Sequence, residues 1–95
     1  MKEYTERDIE DFLLEKYDTK ILIYKGFYLL RTILNKYTTI IETMMPVYEY
    51  VAEEHKTTPS AVERALRHFR TRVNTNTDTN KELVNLLIIE FQRWL

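Results

Sequence analysis

The amino-acid sequence predicts an all-α protein, a compact domain of about five helices that contains a helix-turn-helix. Three observations carry that reading. Apolar residues recur at spacings of three and four along most of the 95 residues, a single glycine and two prolines interrupt the pattern, and threonines stand where helix starts need caps. Hydrophobic residues make up 44% and aromatics 13%, which suffices for one small core and argues against disorder. The length suits one domain over residues 1–95, with no space for a second core.

The elements follow in order. Thr5 with Asp8 three residues on resembles a capping box, and Ile9, Phe12, Leu13 and Tyr17 form an apolar stripe in a first helix running to about Lys16. Residues 21–35 read as one long, central helix, with Ile23, Phe27, Leu30 and Leu34 on one face and Leu22, Leu29 and Ile33 widening it. Gly26 inside it costs about 1 kcal/mol relative to alanine, and close helix packing is the expected compensation. Residues 40–45 are ambiguous, since their β-branched content permits a short strand, and a helical lead-in to Pro46 is preferred. Residues 46–55 are expected to form a short helix with Val47, Tyr48, Val51, Ala52 and, at its end, His55 inward.

Thr58 caps the next helix and Pro59 suits its first position, where a fixed φ helps and a missing N–H is harmless. From there to Val73, the residues Val62, Ala65, Leu66, Phe69 and Val73 share one side, leaving Ser60, Glu63, Arg64, Arg67 and His68 outward. Residues 74–80 are a polar run without helix formers, hence a loop. Thr79-x-x-Glu82 is a second capping box, opening a final helix through Leu83, Leu86, Leu87, Phe91 and Trp94. That helix carries more apolar surface than one stripe needs, so it is buried on several sides or meets another subunit.

Several classes of function are disfavoured. Without cysteine there is no disulfide, thiolate catalysis or cysteine-based zinc site. The only histidines, His55 and His68, fall on different helices without metal-binding spacing, and no glycine-rich phosphate loop or nucleophile elbow occurs. No catalytic residues, metal or cofactor are therefore expected. The longest apolar runs, such as residues 86–89, are far short of a membrane span, and Met1-Lys2-Glu3-Tyr4 lacks a signal-peptide core, so a bacterial cytoplasm is the expected setting.

The charge pattern is uneven. Residues 56–73 hold Lys56, Arg64, Arg67, Arg70 and Arg72 against Glu63 alone, a local net of +4 in a chain of net −1, so the remainder carries −5. One face should thus attract phosphate, although a solvated helix face would read the same on charge alone. The connector Lys56-Thr57-Thr58 has the length of a helix-turn-helix turn, without the usual glycine.

The words around that turn resemble a family. Tyr48-x-x-Val51-Ala52, then Thr57-Thr58-x-Ser60-x-Val62-Glu63-Arg64-Ala65-Leu66-Arg67-His68, is similar to the C-terminal DNA-binding domain of the sporulation master response regulator of endospore-forming bacteria. Lys25-Gly26-Phe27-Tyr28-Leu29-Leu30-Arg31 and Thr79-Asn80-Lys81-Glu82-Leu83-Val84 match in the same order, so the likeness runs from about Lys25 to the C-terminus. It implies double-stranded DNA as partner, with tandem or dimeric binding and contact with RNA polymerase or a regulator as further options. Three departures stand out. Ala61 replaces the family's arginine, the short run 74–78 replaces a longer segment that includes surface implicated in contacting the polymerase sigma subunit, and no phosphorylatable receiver domain is expected within these 95 residues. A repressor or accessory factor therefore fits better than an activator.

On this reading the helix 59–73 enters the major groove with its N-terminal residues at base edges. Arg64 and Arg67 are the candidates for guanine O6/N7, and Glu63 for cytosine N4 or for orienting an arginine. Ser60, Thr58, His68, Lys56 and Arg70 are candidates for phosphate. Glu63 and Arg67 could equally pair with each other at i, i+4. The alternative, of another class, is a protein-binding antagonist that keeps the fold and blocks a full-length regulator by mixed dimerisation or by occupying its sites.

Overall fold

The computed structural model describes residues 3–95, so Met1 and Lys2, part of the stretch read as lacking a signal peptide, lie outside the described residues. Five α-helices and one 3-10 turn follow in order: α1 (Glu6–Tyr17), the turn (Thr19–Ile23), α2 (Lys25–Lys36), α3 (Met45–Glu54), α4 (Pro59–Val73) and α5 (Asn80–Trp94). No strand forms among the described residues. The all-α expectation holds, as does the central place of α2, which packs on α1, α3, α4 and α5.

Local sequence explains most of the helix starts. Thr5 and Asp8 form both halves of a capping box, with the Thr5 N–H donating to Asp8 Oδ2 at 2.8 Å. The Thr58 hydroxyl accepts from the Ala61 N–H at 3.1 Å, and the Thr79 hydroxyl from the Glu82 N–H at 3.0 Å. Each such cap contributes about 1 kcal/mol.

Two expectations are corrected. Residues 21–35 are not one helix. The chain turns at Asp18, whose φ is 74°, and its carboxylate accepts the Thr19 N–H. The 3-10 segment has three residues per turn, so the apolar phase slips. Ile21 is buried, whereas Ile23, expected on the inner face, is 81% exposed and Leu22 is exposed beside it. The α-helix begins only at Lys25, after an extended Tyr24 that makes no side-chain cap. Residues 40–44, in turn, are neither strand nor helical lead-in. The Asn85 side-chain amide substitutes for a strand partner there, accepting from Ile41 N at 2.8 Å and donating to Ile41 O at 2.9 Å. That holds Ile41 buried without regular structure around it.

The helix-turn-helix forms as expected, by a route that does without glycine. After α3, Lys56 adopts the left-handed region with φ 55°. Its N–H donates to Glu53 O at 3.3 Å and the Thr57 N–H to Ala52 O at 2.9 Å. These two bonds make a Schellman motif, which satisfies carbonyls at the α3 C-terminus. Lysine in this conformation costs about 1–2 kcal/mol that glycine would not. His55 Nε2 lies 2.7 Å from Thr32 Oγ1, tying the turn to α2.

Beneath α4 the packing is close. Val62, Leu66, Phe69 and Val73 are buried while Ala65 is only partly so. Gly26 lets α2 touch α4: a Cβ built there would lie 2.5 Å from the Phe69 Cβ. Tyr17 and Tyr24 meet the Phe69 ring edge-on, with centroids at 5.7 and 6.3 Å. The Tyr17 hydroxyl is buried without a hydrogen-bond partner among the described residues, and burial, with Glu90 nearby, raises its pKa. α5 buries Leu83, Val84, Leu87, Ile88 and Phe91, leaving Ile89, Trp94 and Leu95 exposed.

Candidate nucleic-acid interface

A helix that packs by Val62, Leu66, Phe69 and Val73 must turn the opposite side outward, at 100° per residue. Ser60, Arg64, Arg67, His68 and Thr71 stand there, and all are exposed. The structure thus brings together four of the sequence candidates in one row. Arg64 has neither an ion-pair nor a hydrogen-bond partner among the described residues, so its guanidinium is available for bidentate contact. Arg67 Nη1 sits 3.5 Å from Glu63 Oε2, the i, i+4 pair weighed as an alternative. Between two such solvated groups the pair is worth only a few tenths of a kcal/mol, little hindrance to recruiting either for another contact.

The remaining candidates divide. Lys56 and Thr58 lie at the turn, beside the α4 N-terminus, with the Thr58 oxygen already accepting from Ala61 and its O–H left as a donor. His68 meets the Tyr24 ring edge-on at 5.8 Å, which restrains the imidazole on the helix face. Arg70 is apart from them. Its Nε donates to Asn80 Oδ1 at 2.8 Å and its Nη1 to Thr77 O at 3.2 Å, so its guanidinium serves the loop between α4 and α5.

That loop bond belongs to a network that sequence reading missed. Asn80, 5% exposed, also donates from Nδ2 to Tyr48 Oη and to Glu63 O, both at 3.0 Å. One buried amide thereby joins α3, α4 and α5 and sets how α4 projects. The only signal in the sequence was an asparagine after a capping threonine, which reads as part of a loop.

The outward surface is concave in three adjoining places. A cleft of about 440 Å³ lies between the start of α2 and α4, lined by Lys25, Arg64, His68, Ala61 and Ala65 with Ile23 and Tyr24. A smaller one of about 140 Å³ continues from Lys25 past Ala61 to His55 and Thr57. An open one of about 620 Å³ follows the outer row from Arg64 to Arg72. No carboxylate lines any of them. Lys25 and Arg72 are additions to the sequence candidates. A carboxylate-free cationic surface fits a polyanion better than a basic or apolar ligand.

Among the described residues no group of three or more His, Cys, Asp or Glu is placed to hold a metal, and no helix is long and apolar enough to cross a membrane. Comparison with known families found that the profile described as "Sporulation initiation factor Spo0A C terminal" matches residues 21–93. Searches of curated proteins and of solved structures returned no match.

Proposed function

Because the chain belongs to the sporulation initiation factor Spo0A C-terminal family, a family of DNA-binding effector domains, we propose that it binds double-stranded DNA sequence-specifically and regulates transcription without catalysis. The observation that carries this reading is the exposed row Ser60–Arg64–Arg67–His68 on the second helix of the helix-turn-helix, bordered by clefts without a carboxylate.

Arg64 and Arg67 read guanine edges in the major groove, with Glu63 accepting from cytosine or releasing Arg67 to its base. Lys56, Thr58, Ser60 and His68 hold phosphates and set the register. Arg70 acts through Asn80 and Thr77, shaping the helix rather than touching the duplex. The link between α4 and α5 spans only residues 74–79, which supports a repressor or accessory factor over an activator. The cytoplasm is the matching location.

A random-duplex selection with purified protein tests the reading, and an enriched motif is the expected result. Arg64→Ala should then lower affinity for that motif about 5- to 150-fold, the loss of one bidentate contact of about 1–3 kcal/mol, with the fold intact. Failure to enrich any duplex would overturn it. Capture of a protein partner independent of DNA would then favour the antagonist role.

A further inference from the structure

Resting on the reading of α4 as the DNA-facing helix, we infer that the cleft between the start of α2 and α4 is a second DNA-contact surface. In it Lys25 neutralises a backbone phosphate, and Ile23 packs on the neighbouring deoxyribose of the same strand.

The first support is position. Arg64 and His68 line both this cleft and the outer face of α4, so the two surfaces are continuous. A helix with its side chains is about 10–12 Å across and fills a major groove about 12 Å wide. An element packed beside it at the usual interhelical distance of about 8–10 Å therefore lies over the bordering strand rather than in the groove. α2 is such an element, held against α4 where Gly26 meets Phe69.

The second support is chemistry. Lys25 is exposed and has no ion-pair partner among the described residues, unlike Lys16, which pairs with Glu90, and Arg31, which pairs with Glu6 and Glu10. Two positions away, Ile23 is 81% exposed, the most exposed large hydrophobic residue described in the chain. It is held out by the 3-10 turn while Ile21 takes the core position. A cation beside a bare aliphatic side chain, with no carboxylate in the cleft, matches a strand in which charged phosphates alternate with apolar sugar faces. An acidic protein partner would also meet the lysine, and the salt dependence below separates it from DNA.

The test measures duplex affinity across a salt series for the wild type, Lys25→Ala, Lys25→Arg, Ile23→Ser and, as a control at the last turn of α5, Arg93→Ala. Lys25→Ala should lower affinity equally on specific and random duplexes and reduce the slope of log K against log salt by about 0.9, one phosphate contact. Lys25→Arg and Arg93→Ala should keep the slope. Ile23→Ser should lower affinity about tenfold at unchanged slope, because the loss is apolar. Both side chains are exposed, so melting temperatures should stay put. A wild-type slope in Lys25→Ala, or wild-type affinity in Ile23→Ser, overturns the inference while leaving α4 as the reading helix. A wild type that binds no duplex overturns both.

Discussion

Gly26→Ala tests how α4 is held in place. The added Cβ would lie 2.5 Å from Phe69 Cβ, 2.7 Å from its Cγ and 2.8 Å from its Cδ2. Carbon atoms rest at about 3.5–4.0 Å, so roughly 1 Å must be opened. Rotating the phenylalanine ring moves Cγ and Cδ2 and leaves Cβ where it is, so the α4 backbone itself must move. Phe69 is fully buried, and close-packed interiors resist such a displacement. Overpacking of this kind costs about 1–3 kcal/mol, and the upper half applies because the nearest atom is attached to the backbone. Against this stands the helix-propensity gain of up to about 1 kcal/mol, reduced here because Gly26 is the second residue of α2. The net expectation is a loss of about 2 kcal/mol, which in a domain of this size lowers Tm by about 8–16 °C. Urea denaturation followed by circular dichroism at 222 nm should show a lower midpoint at unchanged m. Equal or higher stability would refute the reasoning, since the α2–α4 separation would then not be set by this glycine.

Three further outcomes are expected. Asn80→Ala should cost about 2–3 kcal/mol in the same denaturation assay, because it leaves the Arg70 Nε, the Glu63 carbonyl and the Tyr48 hydroxyl without their buried partner. A cost under about 0.5 kcal/mol would show that the network is dispensable. Lys56→Gly relieves a left-handed residue at about 1–2 kcal/mol and gives back about 0.4–1 kcal/mol through unfolded-state entropy, so a small rise in Tm is expected, and a fall would mean the lysine side chain supports the turn. Tyr17→Phe should leave stability at pH 7 unchanged or higher, since it removes a hydroxyl without a partner. Its folded pKa lies above the ordinary 10.0 because of burial and Glu90. Wild-type stability is therefore complete below that value and falls as the unfolded chain ionises first above it. Urea midpoints between neutral and strongly alkaline pH should decline less in Tyr17→Phe, with Tyr4, Tyr37 and Tyr50, also raised by burial, supplying the residual slope. Parallel declines would contradict this.

The candidate site was largely legible because its residues follow a helical period. The spacing of Val62, Leu66, Phe69 and Val73 alone dictates that Arg64, Arg67 and His68 turn outward. Arg70 shows the limit. By spacing it lies at the flank of the same helix, and only the fold brings Asn80 and the Thr77 carbonyl to its guanidinium. Lys25 and Ile23 failed in another way: the 21–35 stripe looked continuous, and nothing near Tyr24 signals a helix start, because Tyr24 caps without its side chain.

By itself, then, the sequence determined what depends on neighbours three or four residues apart. This covers the capped starts at Thr5, Thr58 and Thr79, the apolar stripes of α1, α4 and α5, the helix-turn-helix connector and the cationic bias of residues 56–73. Tertiary structure decided what depends on residues far apart in the chain. The Asn85 amide holds Ile41 across 44 positions, His55 meets Thr32 across 23, and Gly26 admits Phe69 from another helix. The physical reason is range. Caps and amphipathic periodicity arise within one helical turn and are written locally, whereas a buried hydrogen bond or a close approach exists only once packing has brought its two ends together.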